Sequence, residues 1–338
     1  MAYEICKWSD LARDFSHTLL VGNGGSVAVH REFGYAGLFE AAQVNRFVDE
    51  RVQDVFTRFD TDDFELVLRR LWQAKQVNSA LGIAVKEVDE AYSVVRRALI
   101  QTVQTVHVSH EAAADHLRPI YQFMRNFLTV VCLNYDLVVY WAAQRGNEES
   151  GSRYHFKDCF NSGVFSDDWK TYREPYGGVE RPTIFCYPHG NLALGVRTDF
   201  QERKLVAGSQ DLLNTIIATW DAGERSPLFV CDGTSEHKLD AILKSRYLRS
   251  VYNGPLAYMG ESLVIYGWGI GKQEQHILDR IAFAPPSRVA VSVHGGMQVY
   301  CEHAYKALSE AGIKDIRFFD SASEGAWNNP VSALTAPD

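Results

Sequence analysis

Seven short apolar runs, each closing on Gly, Asn, Asp or His and followed by a helical pattern, constrain this chain more than any other feature. They are HTLLVGNGG (17–25), FLTVVCLNYD (127–136), TIFCYPHGN (183–191), PLFVCDGTS (227–235), SLVIYGWGIG (262–271), RVAVSVHGG (288–296) and DIRFFDS (315–321). Strands buried on both faces read as continuous Val/Ile/Leu runs, because neither side of the sheet meets water. Alternation with helices then predicts an α/β fold with a doubly wound, mostly parallel, Rossmann-like sheet. Such sheets bind ligands in the crevice beyond the C-terminal strand ends. That is where this chain concentrates its glycines and polar residues.

After the first run the pattern turns purely helical. Phe64, Val67, Leu68, Leu71 and Trp72 share one face behind the acidic start TDD at 61–63. Val94, Val95, Ala98, Leu99 and Val103 form a second stripe, and Ser109 is placed to cap a third helix carrying Leu117, Tyr121 and Met124. The expected organisation is a core of 1–34 and 119–325, a large helical insertion of 35–118 after the first strand, and a flexible tail of 326–338. Residues 146–181, rich in Gly, Ser, Asp and aromatics, read as a long ordered loop region near the site.

Composition removes several classes of function. The net charge of −8, without a Lys/Arg run, would repel a phosphate backbone, so nucleic acid is not an expected partner. The longest apolar runs are strand-sized, far below the roughly 20 residues that span a bilayer, so no membrane association is expected. The amphipathic N-terminus, MAYEICKWSDLARDF, does not read as a secretory signal. The six cysteines contain no CxxC pair, and Cys132, Cys186 and Cys231 fall in strand-like runs as small core residues. A reducing, cytoplasmic location is expected, with neither a disulfide framework nor a zinc site. The spacing of His107 and His110 suits a metal on a helix, but no third ligand follows.

Four motifs carry chemistry. GNGGS (22–26) ends a strand on Gly-x-Gly, the arrangement that lets backbone N–H groups approach a pyrophosphate. LNYD (133–136) puts an amide and a carboxylate on one strand face. These residues either position a water against a cationic sugar or simply turn the chain and cap the next helix, and local grounds favour the second. YPHGN (187–191) places His189 at a strand end, suited to a general base, although a lone His is more often a satisfied structural residue. GWGIGKQEQHI (267–277) makes a second anion-friendly glycine turn. Ser235, Glu236 and Lys238 read as the start of a helix that could also line the crevice. Phe160, Phe165, Trp169 and Tyr176 read as core of the loop region in preference to a lid.

In this order the four motifs resemble the sirtuin-like (silent information regulator type) superfamily, with the look of a zinc-less bacterial branch. The matching residues are Gly22, Gly24 and Ser26; Asn134 and Asp136; His189 and Gly190; and Gly267, Gly269 and Gly271. Asn23, Val131, Asn191 and the pair Trp268–Gly269 depart from the residues usual there. The resemblance implies NAD as ligand and substrate, with Gly22, Asn23, Gly24, Ser26, Gly190, Gly267, Trp268 and Gly269 around the cofactor. It further implies Asn134 at the nicotinamide ribose, Asp136 supporting that pocket and His189 as base. Deacylases of the superfamily carry a zinc module of two CxxC pairs, which this chain lacks, so the resemblance points to an NAD glycohydrolase, in the manner of anti-phage defence effectors. A zinc-less NAD-dependent deacylase and an inactive NAD or ADP-ribose sensor are the alternatives. Such hydrolases are held off until assembly, so a homo-oligomer or an activating protein partner is expected. An ordinary Rossmann oxidoreductase is disfavoured, because no acidic residue closes a second strand about 20 residues after GNGGS.

Overall fold

Six of the seven apolar runs pair side by side, and two shorter segments extend the sheet they make to eight strands. A computed structural model describes residues 2–34, 37–149, 154–197, 201–206, 212–230 and 233–331 (Arg51 by its backbone alone). The chain begins with β1 (Ile5–Cys6), α1 (Trp8–Leu11), β2 (Thr18–Val21) and α2 (Asn23–Val27). Helices α3 (Leu38–Val44), α4 (Glu50–Phe59), α5 (Phe64–Leu81), α6 (Lys86–Val106) and α7 (His110–Met124) follow before β3 (Thr129–Cys132) and α8 (Val138–Glu149). Then come β4 (Tyr154–Lys157), β5 (Phe160–Asn161), β6 (Val164–Phe165), β7 (Arg181–Cys186), β8 (Gly190–Arg197) and β9 (Glu202–Lys204). The rest is α9 (Leu212–Asp221), β10 (Arg225–Phe229), α10 (Ser235–Lys244), α11 (Arg246–Asn253), β11 (Ser262–Tyr266), α12 (Gln275–Phe283), β12 (Arg288–Val293), α13 (Gln298–Glu310) and β13 (Asp315–Asp320).

The large sheet runs β1-β13-β12-β11-β2-β3-β7-β4, and every described pairing in it is parallel. All residues of β2, β3 and β11 are buried, as continuous apolar strands between helical layers require. From β2 the chain passes to β3, then to β4 at the edge and back to β7 between them, before it returns to β11 on the other flank of β2 and works outward through β12 and β13. The reversal puts the topological switch point between β2 and β11, where doubly wound sheets open a crevice.

One run is corrected. PLFVCDGTS supplies β10, which belongs to a separate five-stranded sheet, β10-β8-β9-β6-β5, with antiparallel pairing. An apolar run reports burial on both faces without reporting which neighbour buries it. Here α5 and α9 pack on β10. Part of the expected loop at 146–181 is instead β4, β5 and β6.

The helical stripes pack as their periodicity requires. Phe64, Val67, Leu68 and Leu71 are buried on α5, and Val95, Ala98, Leu99 and Val103 on α6. Ser109 Oγ accepts the Ala112 N–H at 3.2 Å and starts α7. That helix crosses residue 118, the expected edge of the insertion, and packs on α8, so the insertion has no seam there. Ala326 and Trp327, assigned to the tail, are buried, and Trp327 Nε1 donates to Gly25 O at 2.7 Å. Residues 332–338 of that tail, and Cys231 among the cysteines read as core, lie outside the described residues. No helix among the described residues is long and apolar enough to cross a membrane.

His107 joins the insertion to the core. Its Nδ1–H donates to Val108 O at 2.8 Å, and its Nε2 accepts the Leu137 N–H at 3.1 Å, so the ring is neutral. Burial pushes its pKa down to about 4. The unfolded chain, titrating near 6.5, therefore binds more protons between those values, and stability present above pH 6.5 is lost as pH falls toward 4. His107→Gln should flatten this acid limb by about 1.4 kcal/mol per pH unit. Urea unfolding midpoints across that range are the measurement, and an unchanged slope would contradict the assignment.

Candidate functional site

Two glycine turns interlock at the switch point. The Gly22 N–H donates to Tyr266 O at 2.9 Å and the Gly24 N–H to Gly267 O at 2.7 Å, so the ladder between β2 and β11 continues past both strand ends. A Cβ on Gly22 would stand 2.6 Å from Trp268 Cα, and one on Gly24 would stand 2.8 Å from Gly267 Cα. Gly267 itself has φ +65°, with room for no Cβ beside the Gly25 nitrogen. These positions are therefore glycine because two backbones touch, and the amides of Gly22 and Gly24 are spent on that contact. The expected approach of those two amides to a pyrophosphate is not what the geometry provides.

The turn after β11 is braced from α13. Tyr300 Oη–H donates to Trp268 O at 2.5 Å, and His303 Nε2–H donates to Ile270 O at 2.9 Å. The buried Trp268 indole donates to the Glu274 carboxylate. A Cβ on Gly269 would meet open space, so this glycine does face the crevice. Gly190, by contrast, has φ +79° and is pressed against the Leu228 carbonyl of β10.

Behind the turns lies a closed polar network. Asn134 Nδ2 donates to Gly22 O at 3.0 Å and to Ser26 Oγ at 2.8 Å. Ser26 Oγ–H in turn donates to Asp136 Oδ2 at 2.5 Å, while the Val138 N–H donates to Oδ1 at 2.9 Å. Burial pushes the Asp136 pKa up to about 6, against the pull of those two donors. The carboxylate thus acts as an anchor, capping the start of α8 and orienting Ser26. Asn191, which follows His-Gly, ties this segment to β8 by donating to Asp136 O at 2.5 Å.

His189 sits at the joint between the two sheets and is fully engaged. Its Nδ1–H donates to Leu133 O at 3.2 Å, which leaves Nε2 as an acceptor. His276 Nε2–H fills that role at 2.8 Å, so His276 Nδ1 accepts from Ser235 Oγ at 3.0 Å. The chain Ser235–His276–His189–Leu133 is consistent with two neutral imidazoles and no unmatched proton. Burial, then the Lys238 ammonium and His276, hold His189 well below the usual imidazole range. Burial and Lys238 push His276 down to about 4.

Asn134, Asp136, His189, Asn23, Trp268 and Gly269 all line one cavity of about 540 Å³ at the C-terminal ends of β2, β3 and β11. Gly22, Gly24, Ser26, Gly190 and Gly267 stand behind its wall as scaffold. Lys238, Gln273 and Glu274 also line the cavity. Lys238 is buried, and no described carboxylate forms an ion pair with it. Asn134 Oδ1 takes no partner among the described residues. Phe160 and Phe165 pack on Tyr247 and Trp169 stacks on Tyr258; none of them lines the cavity.

Residues 19–327 match a family described as Domain of unknown function (DUF4917). The chain belongs to that family. No curated protein matches it.

Sequence reasoning weighed His276 only as a metal ligand, which its spacing did not suit, and gave Lys238 only a secondary place. His276 lies inside the GWGIGKQEQHI motif, four residues along the same strand-to-helix passage as Lys272, and a titratable residue opening a helix at a strand end was the available signal. Gly267→Ala should cost about 2–4 kcal/mol, since it combines positive φ with backbone overlap. Guanidinium unfolding measures this, and a loss below about 1 kcal/mol would show that the turns do not interlock.

Proposed function

We propose that this protein hydrolyses the nicotinamide–ribose bond of NAD, releasing nicotinamide and ADP-ribose. The observation that carries the reading is the convergence of Asn134 and Asp136, after β3, and His189, after β7, on one cavity at the switch point. The cavity volume falls within the range of about 300–1,000 Å³ usual for small-molecule sites. The order of motifs shared with sirtuin-like proteins supplies the identity of the ligand; the family match carries no activity of its own.

The chemistry asks little acid catalysis of the protein. The C1′–N bond breaks with its electron pair leaving on a neutral nicotinamide, water adds to C1′, and one proton is released. Asn134 Oδ1 faces the developing cationic sugar or the incoming water. The buried Lys238 ammonium takes the diphosphate, whose charge it balances at close range in a poorly solvated wall. The proton goes to the imidazole pair: both rings rest neutral, and His189 Nε2 becomes available once its hydrogen bond from His276 opens. The backbone of the Gly269 turn, open to the cavity, remains for phosphate contact.

A sensor that binds NAD without turnover is the second reading, favoured by one observation. Both nitrogens of His189 and both oxygens of Asp136 are already engaged. Chromatography of NAD incubated with the protein separates the two. Wild type should yield nicotinamide and ADP-ribose, while His189→Ala and His276→Ala should each lose about 100-fold or more in rate and keep the NAD-induced rise in melting temperature. Lys238→Met should weaken NAD binding about tenfold or more. A melting shift without products selects the sensor, and neither shift nor products ends the NAD reading.

A further inference from the structure

A second cavity, of about 440 Å³, opens between α5 and the antiparallel sheet and shares no lining residue with the first. Its charge is unbalanced in a way that folding alone does not favour. Arg225 of β10 stands directly opposite Arg197 of β8, and Arg203 of β9 pairs with β8 two residues away. Like charges facing each other across an antiparallel pair are destabilising. Burial, followed by the fields of Arg197 and Arg203, lowers the Arg225 pKa, with Glu224 opposing. Arg225 Nη1 is sequestered from solvent and has no hydrogen-bond partner, although buried polar groups are nearly always satisfied.

The nearest buried acid does not relieve this. Glu65, in the first turn of α5, is fully buried, and burial pushes its pKa up to about 8 despite Arg69 at 3.9 Å. Burial thus favours its neutral carboxylic acid, a hydrogen-bond donor, over a counter-charge. Leu66, Trp72, Tyr92 and Leu228 add an apolar, aromatic wall to a lining in which Arg69, Arg70, Arg197, Arg225 and Lys244 outnumber Glu65, Glu202 and Glu224. An unpaired cation, a neutral acid able to donate, and an apolar wall together describe a receptor for an amphiphilic anion.

We propose that this cavity binds a small organic anion, a carboxylate, sulfonate or phosphate monoester on an aromatic or aliphatic body, with its head on Arg225 and its body against Trp72, Leu66 and Leu228. The anion supplies the missing partner of Arg225 Nη1. Nothing in this inference rests on the NAD chemistry of the first cavity.

The test uses anilinonaphthalene sulfonate, an aromatic sulfonate that fluoresces in apolar sites, titrated into the full chain with and without saturating NAD. Wild type should bind it saturably, with energy transfer from tryptophan, and NAD should not displace it. Arg225→Met should weaken binding about tenfold or more, as loss of a charge-assisted hydrogen bond does. Leu66→Trp, which fills the cavity while keeping every charge, should do the same, and it decides the matter if Arg225→Met fails to fold. Absence of saturable binding, displacement by NAD, or wild-type affinity in Leu66→Trp overturns the proposal.

Discussion

The contact between the Gly22–Gly25 turn and the Gly267–Trp268 turn is the constraint on which the rest of the molecule depends. Parallel strands diverge once their ladder ends, and at a switch point the following segments leave toward opposite faces. Here the ladder is prolonged by two hydrogen bonds beyond β2 and β11, at a separation that admits no side chain. Trp327 closes the arrangement from the C-terminal side by donating to Gly25 O, and it stacks on Tyr266 of β11. The carbonyl of Gly22 is thereby fixed where Asn134 can use it. Side chains at Asn23 and Trp268 are turned toward the cavity by the same contact.

From that fixed point the polar network spreads with one oxygen, Asn134 Oδ1, left free among the described residues. Asn134 binds the β2 turn and Ser26, Ser26 binds Asp136, and Asp136 binds the start of α8. Each donated hydrogen in the series has its acceptor, so rotation of any member would strand a buried polar atom at about 1–3 kcal/mol. Rigidity of this kind is what a site needs if one free oxygen and one ammonium are to be held against a ligand. The imidazole chain works differently. It is neutral, buried and linked to a half-exposed hydroxyl at Ser235, so a proton has a route inward but no stable charge to hold it at rest.

Much of this was readable before any coordinates. The apolar runs located β2, β3, β7, β11, β12 and β13 because burial on both faces leaves a periodicity-free signature. The two-residue β1 and the mixed β4 left no such signature; tertiary pairing alone makes them strands. β10 was legible as a strand and illegible as to sheet, because packed helices, here α5 and α9, bury an antiparallel strand as thoroughly as a parallel one. Asn134, Asp136 and His189 were legible from their positions at strand ends. The engagement of their polar atoms was not, since it depends on Ser26 and His276, which lie far away in sequence and arrive through the crossovers.

The antiparallel sheet reaches the site through an irregularity in β8. Pro227 pairs with Gly195 while Phe229 pairs with Gly190, so β8 carries surplus residues between two nearly adjacent positions of β10. A bulge of this kind bends its strand and re-aims the side chains within it. In the surplus stretch, the Leu192 N–H donates to Tyr135 O and Ala193 O accepts from the Leu205 N–H. The strand thus detaches from β10 long enough to dock on the end of β3. The surplus brings His189 beside Val230, whose N–H donates to His189 O at 2.7 Å, where an unbroken register would put Leu192. The bulge is therefore what lets one sheet deliver a histidine to the cavity of another, while the regular half of β10 and β8 holds Arg225 against Arg197 at the second cavity.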